Sequence, residues 1–190
     1  MIRLILATLL LPLVIASAVM ADQEGANRPA VYSSQQGNVF ARAVPADSYG
    51  LKGITRVYRA GAAAEQDELL HTFDWYAGKV YLESVPEGLS IVRTGAWARG
   101  HLATKDELAI AFYLGEKLLK EYSTLDIAGA PRNVRASASH YRVIEKIHGY
   151  RWTPGGKYVF DIQTTDGRTL SFSTTTGEPV PPAATTAPSR

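Results

Sequence analysis

The stretch AIAFYLGEKLLKEY, Ala109–Tyr122, admits either a helix or a hairpin, and the choice sets the fold class. Read as a helix, it opens on a capping box, Thr104-x-x-Glu107, and places Leu108, Ala111, Phe112, Leu118, Leu119 and Tyr122 near helical spacing. That reading leaves Ile110, Tyr113 and Leu114 on the face that should meet water. It also puts Gly115 mid-helix, at a cost of about 1 kcal/mol relative to alanine. Read as a hairpin, an apolar strand runs through Leu114, turns at Gly115-Glu116 and returns from Lys117. An all-apolar strand is then buried on both faces, and glycine opens a two-residue turn. The hairpin meets fewer conflicts and is preferred. In either form the stretch is a packing element and carries no chemistry.

Segments of similar character flank it. VFARAV (39–44), ITRVYR (54–59), LLHTFDWY (69–76), KVYLES (79–84) and LSIVRT (89–94) are short and rich in β-branched and aromatic residues. Pro45, Gly50, Gly53, Gly61, Gly78, Pro86 and Gly88 separate them, which is the punctuation of antiparallel β structure. In LSIVRT, Leu89, Ile91 and Arg93 share one face and Ser90, Val92 and Thr94 the other; Pro86-Glu87-Gly88 closes the hairpin to KVYLES. Ser123 to Ile127 reads as one helical turn started by a hydroxyl cap. After a loop at 128–139, strands resume at HYRVIEKI (140–147), YVFDIQT (158–164) and TLSFST (169–174), the last two joined by an Asp166-Gly167 turn. The expected fold is mainly β: an antiparallel β-sandwich or partly open barrel of short strands, with one short helix at most.

An approximate repeat runs through the chain. FDWYAGKVYLESVPEGLSIVRTG (73–95) and YRWTPGGKYVFDIQTTDGRTLSFST (150–174) share an aromatic-Trp start, a Gly-Lys, a strand, a Gly-containing turn and a second strand. These units resemble blades of a WD-repeat-type β-propeller. Two such units cannot close a propeller, so the resemblance implies blade-like hairpins within a self-contained sheet structure, or a subunit that completes its sheet arrangement by oligomerising.

The first twenty-one residues read as a signal peptide: Arg3, an apolar core over Leu4–Ile15, and Val19-Met20-Ala21 as a small-residue cleavage site before Asp22. The apolar core is shorter than the roughly 20 residues of a spanning helix. Export to a periplasm or the extracellular space is therefore expected, and no integral membrane span is expected after signal removal. Residues 22–38 lack apolar periodicity and read as a loose lead-in attaching at Val31-Tyr32. Residues 39–178 form one β-rich domain, and the Pro/Ala/Thr-rich tail 179–190 is expected to be disordered. The chain has no cysteine, which excludes thiol catalysis, cysteine-ligated metal and disulfides. Removing Arg3 with the signal takes the formal charge from +2 to +1, with signs interspersed. Nothing in that balance points to nucleic acid.

The most suggestive candidate site is the loop AWARGHLATK. Trp97 offers a flat apolar platform, and Arg99, Lys105 and a protonated His101 would be cations suited to a carboxylate or phosphate. The plainer reading caps a sheet end with Trp97 and leaves the cations solvated. The four histidines show no metal-ligand spacing, and His71 and Asp74, at odd separation on one strand, face opposite ways. No cofactor motif is present, neither G-x-S-x-G nor S-x-x-K occurs, and the adjacency of Ser139 and His140 is no evidence of catalysis. The sequence thus favours an exported, non-catalytic binding module whose partner is an envelope protein, a peptide or a small anionic ligand. The alternative enzyme is an envelope hydrolase that combines His101 or His140 with Glu83 or Asp161.

Overall fold

The computed structural model describes residues 24–63 and 66–181. Ala109–Tyr122 is a hairpin, and the chain is mostly strand around it. The first sheet is a meander of β1 (Ala30–Ser33), β2 (Val39–Pro45), β3 (Lys52–Arg59) and β4 (Glu68–Trp75). The second holds β5 (Val80–Val85) and β6 (Gly88–Thr94), passes the two-residue β7 (Ala98–Arg99), and continues through β8 (Leu108–Leu114) and β9 (Lys117–Ser123). A single helical turn, α1 (Thr124–Ala128), follows. Next, β10 (Arg135–Ala136) and β11 (His140–Arg142) join β7 in a small sheet. The third meander is β12 (Ile144–Trp152), β13 (Tyr158–Thr164), β14 (Thr169–Ser173) and β15 (Pro179–Val180). Every pairing is antiparallel.

The three four-stranded meanders stack in sandwich-like fashion, with the second in the middle. The β8 sequence shows why. Ile110, Ala111, Phe112 and Tyr113 are all buried, and because strand side chains alternate they serve two cores. Ala111 and Tyr113 pack with Phe73, Trp75 and Ile91 against the first sheet. Ile110 and Phe112 pack with Val92, Phe160 and Phe172 against the third. Gly115 takes φ +57 at the turn, a conformation that glycine adopts without penalty. Arg93 is buried on the first-sheet side, its guanidinium 4.7 Å from the Trp75 ring centroid and its Nη2 3.1 Å from Glu121 Oε1. The stack keeps strand order: β1 and β2 touch β5. The Tyr150 hydroxyl of β12 donates to the carbonyls of Tyr81 on β5 and Ser90 on β6, at 3.2 and 3.0 Å.

The Thr104–Glu107 turn belongs to the start of α1 and opens no long helix. The Thr104 N–H donates to Thr124 Oγ1 (3.0 Å), and the Thr124 N–H donates to the Glu107 carbonyl (2.7 Å). Ser123 is the N-cap, and it forms a reciprocal capping box with Asp126.

Several boundaries differ from the sequence expectation, including the two expected loops, since 128–139 holds β10 and the Trp97 loop holds β7. The lead-in 22–38 contains β1, which is anchored because Tyr32 turns its ring inward and donates to the Gly78 carbonyl (2.6 Å). The tail begins as β15, pairing Pro179 and Val180 with Phe172 and Ser171; proline is tolerated there because the strand lies at an edge. HYRVIEKI breaks at Val143 into β11 and β12, which belong to different sheets. There are three stacked meanders where the repeat suggested two units. The 73–95 unit straddles the first and second sheets, because Trp75 ends β4 whereas Trp152 ends β12 within the third. The signal-peptide reading of residues 1–21 and the disordered-tail reading of residues 182–190 lie outside the described residues.

Candidate functional site

Strand β7 pairs with β11, setting Ala98 opposite Tyr141 and Arg99 opposite His140. Ala98 is buried, and alternation turns Trp97 and Arg99 outward. Trp97 is 41% exposed and stacks on the His140 ring, with centroids 4.4 Å apart. Arg99 Nη2 donates to Glu24 Oε2 at 3.0 Å, and His140 Nε2 lies 3.4 Å from the same oxygen. His101 Nε2 lies 3.1 Å from the Ala138 carbonyl. Lys105 stands apart, near α1, where its charge helps hold the Asp126 carboxyl below the usual range, behind the larger effect of the Ser123 hydrogen bonds. The structure therefore brings Trp97 and Arg99 to one corner with His140 and Glu24, and leaves Lys105 out of it.

A carboxylate of this chain already occupies the Arg99 fork. The open space lies on the other side of Trp97, where a cleft of about 700 Å³ runs between β5 and the β11–β12 segment. Its floor includes Leu108, Ala109, Val143 and Ile147, and its rim carries Lys79, Arg142 and Lys146. Glu145 also reaches the rim, but its Oε1 accepts from Arg135 and Arg142 at 3.0 and 3.1 Å. Among the described residues neither Lys79 nor Lys146 is ion-paired, so the two lysines are the cations left on this rim. An apolar floor with a few convergent charges is the usual construction of a small-molecule site.

Beyond Tyr81 and Ile147, which line both spaces, a second pocket of about 350 Å³ is bounded by Ser33, Glu83, His148 and Tyr150. Glu83 is only 4% exposed. Burial pushes its carboxyl above the ordinary range, and the neighbouring Ser84 backbone N–H offsets this only in part. Burial also raises the Tyr81 and Tyr150 hydroxyls. Asp161 is tied to Arg151 (Nε to Oδ2 2.5 Å). The acids expected beside His101 or His140 thus have other surroundings. Glu83 lies with His148, and Asp161 with Arg151.

The sign of the Glu83 effect is testable. The folded state holds this proton to higher pH than the unfolded chain does. Stability therefore falls as pH rises from the unfolded carboxyl value through the raised folded one, and stays lower above it. Glu83→Gln keeps the shape and removes the titration. Its Tm should match wild type near pH 4 and exceed it at pH 7. Thermal melts at both pH values check this, and equal melting at pH 7 would show that the carboxylate is well solvated.

Among the described residues no group of three or more His, Asp or Glu gathers as a metal site, and no helix is long and apolar enough to cross a membrane. Compared with family models, curated proteins and solved structures, the chain matches none of them.

Proposed function

We propose that the protein is an exported, non-catalytic binding module of the cell envelope whose Trp97 cleft captures a small ligand with an apolar body and an anionic group. The cleft itself carries this reading: an apolar floor, an exposed indole wall, and Lys79 and Lys146 on the rim, neither of them ion-paired among the described residues. Export rests on the N-terminal pattern of Arg3, the apolar core and Val19-Met20-Ala21. Relative to the sequence expectation, the ligand cations move from Arg99, His101 and Lys105 to Lys79 and Lys146.

Anilinonaphthalene sulfonate, an aromatic body with one fixed anion, is a suitable probe. The folded chain should bind it saturably at one site, read by fluorescence. Trp97→Ala, and the pair Lys79→Ala with Lys146→Ala, should each weaken binding about tenfold, the scale of one lost charged or aromatic contact. Lys105→Ala should leave it unchanged. Absence of saturable binding by a cooperatively melting protein, or wild-type binding by the Trp97 and lysine variants, would overturn the reading.

A further inference from the structure

The Trp97 cleft adjoins the pocket that holds Glu83, and together they form a groove whose two ends carry opposite charge. Lys79 precedes β5 directly, and Lys79, Tyr81 and Glu83 alternate with Val80 and Leu82, which pack against the first sheet. The three therefore share the face turned toward the third sheet, where the Tyr81 ring meets Phe160 edge-on at 5.3 Å. Two strand repeats separate Lys79 from Glu83, about 13 Å along the chain. Tyr81 and Ile147 line both spaces, so the two adjoin.

At the first end, Lys79 and Lys146 face the opening with Glu145 already neutralised by its two arginines. At the other, the Glu83 carboxyl is buried, and among the described residues no cation is ion-paired with it. A buried carboxylate without a cation is costly, and an ammonium brought by a ligand removes that cost. Resting on the cleft reading above, we propose that the groove binds a short peptide with free termini, its ammonium on Glu83 and its carboxylate between Lys79 and Lys146. An extended chain advances about 3.3–3.6 Å per residue, so about four residues fill the span. The groove is bordered by β5 and β12, each the edge strand of its sheet. Their backbone groups can receive an extended peptide with little regard to its side chains. The Tyr81 ring and Ile147 form the apolar middle.

Titration calorimetry of the full chain at neutral pH with tetra-alanine, its N-acetylated form and its C-terminal amide tests the assignment. Wild type should bind tetra-alanine at one site, and acetylation should weaken binding about tenfold or more. In Glu83→Gln, acetylation should make no further difference, while amidation should still weaken binding. In the Lys79→Ala, Lys146→Ala pair the pattern should reverse. Cooperative melting of each variant confirms that it is folded. Equal affinity of the free and acetylated peptides for wild type would overturn the proposal. So would failure of tetra-alanine to bind while anilinonaphthalene sulfonate still binds in a Trp97-dependent way; that outcome would leave the cleft reading standing. Loss of both ligands would overturn both.

Discussion

Replacing Phe112 by alanine should destabilise the protein by about 3–5 kcal/mol, the range for deleting a fully buried aromatic ring. Phe112 is 1% exposed and touches rings from three other strands: Phe160 at 6.0 Å, Phe172 at 4.9 Å and Tyr122 at 6.1 Å between centroids. Those neighbours are themselves rigid aromatics on hydrogen-bonded strands, so the vacated space cannot collapse, and the cavity contribution adds to the lost transfer free energy. Against a typical total of about 5–15 kcal/mol, such a loss brings the domain near its unfolding threshold. Urea unfolding followed by tryptophan fluorescence should show a much lower midpoint with a similar slope. Leu118→Ala on the returning strand is the control. Leu118 is 46% exposed, and a substitution there should stay within about 0.5 kcal/mol. A loss below 1 kcal/mol at Phe112 would mean that the second and third sheets do not share a core.

Phe112 also marks how far the sequence could be read. The hairpin was legible because Ile110, Tyr113 and Leu114 conflict with a helix and Gly115 suits a turn. The same unbroken apolar run also required burial on both faces, which is the signature of a middle layer. Stack order was less accessible. Strand β5 rests on β1 and β2, and β12 on β5 and β6, through side-chain packing that leaves no local pattern in any one segment. The Trp–Gly-Lys repeat exposed hairpins and concealed sheet membership, because the same motif ends a sheet at Trp75 and lies within one at Trp152. At β1 and β15 the strands are too short and too polar for periodicity to register, and they exist because a neighbouring edge accepts them.

The site follows the same division. Trp97 stood out in sequence as an aromatic among cations in a loop, and it does line the cleft. Its cationic neighbours in sequence turn to partners within the chain: loop geometry sends Arg99 to Glu24, His101 to the Ala138 carbonyl and Lys105 toward Asp126. The lysines that do face the cleft, Lys79 and Lys146, come from the starts of two different sheets. Each looks in sequence like an ordinary solvated strand residue. Only the Glu83 position leaves a faint trace: an acid on a strand that also carries Val80, Tyr81, Leu82 and Val85, a pattern that protection of a sheet edge explains equally well.

Gly95→Ala should be as damaging as a core deletion, although it adds one methyl group. Gly95 follows β6 at the rim of the cleft, and its N–H donates to the Ala109 carbonyl at 3.0 Å. A Cβ built there would lie 1.7 Å from the Leu108 carbonyl oxygen. The obstacle is backbone, so no rotamer change relieves it, and the ends of β6 and β8 must separate. Overpacking ordinarily costs about 1–3 kcal/mol, and a clash with a main-chain atom belongs at or above the top of that range. The displaced segment carries Ala96 and Trp97, so the cleft wall moves with it. Gly95→Ala should therefore lower the thermal midpoint and also weaken anilinonaphthalene sulfonate binding in the fraction that stays folded. Gly78→Ala is the matched comparison at the neighbouring strand end, just before β5, which pairs with β6: its Cβ meets nothing within 4 Å and its φ lies outside the left-handed region. That substitution should be neutral, or stabilising by about 0.4–1 kcal/mol through the unfolded chain. If both glycines tolerate alanine equally, the β6–β8 ends are looser than their close approach implies, and the Trp97 wall is not held by the sheet behind it.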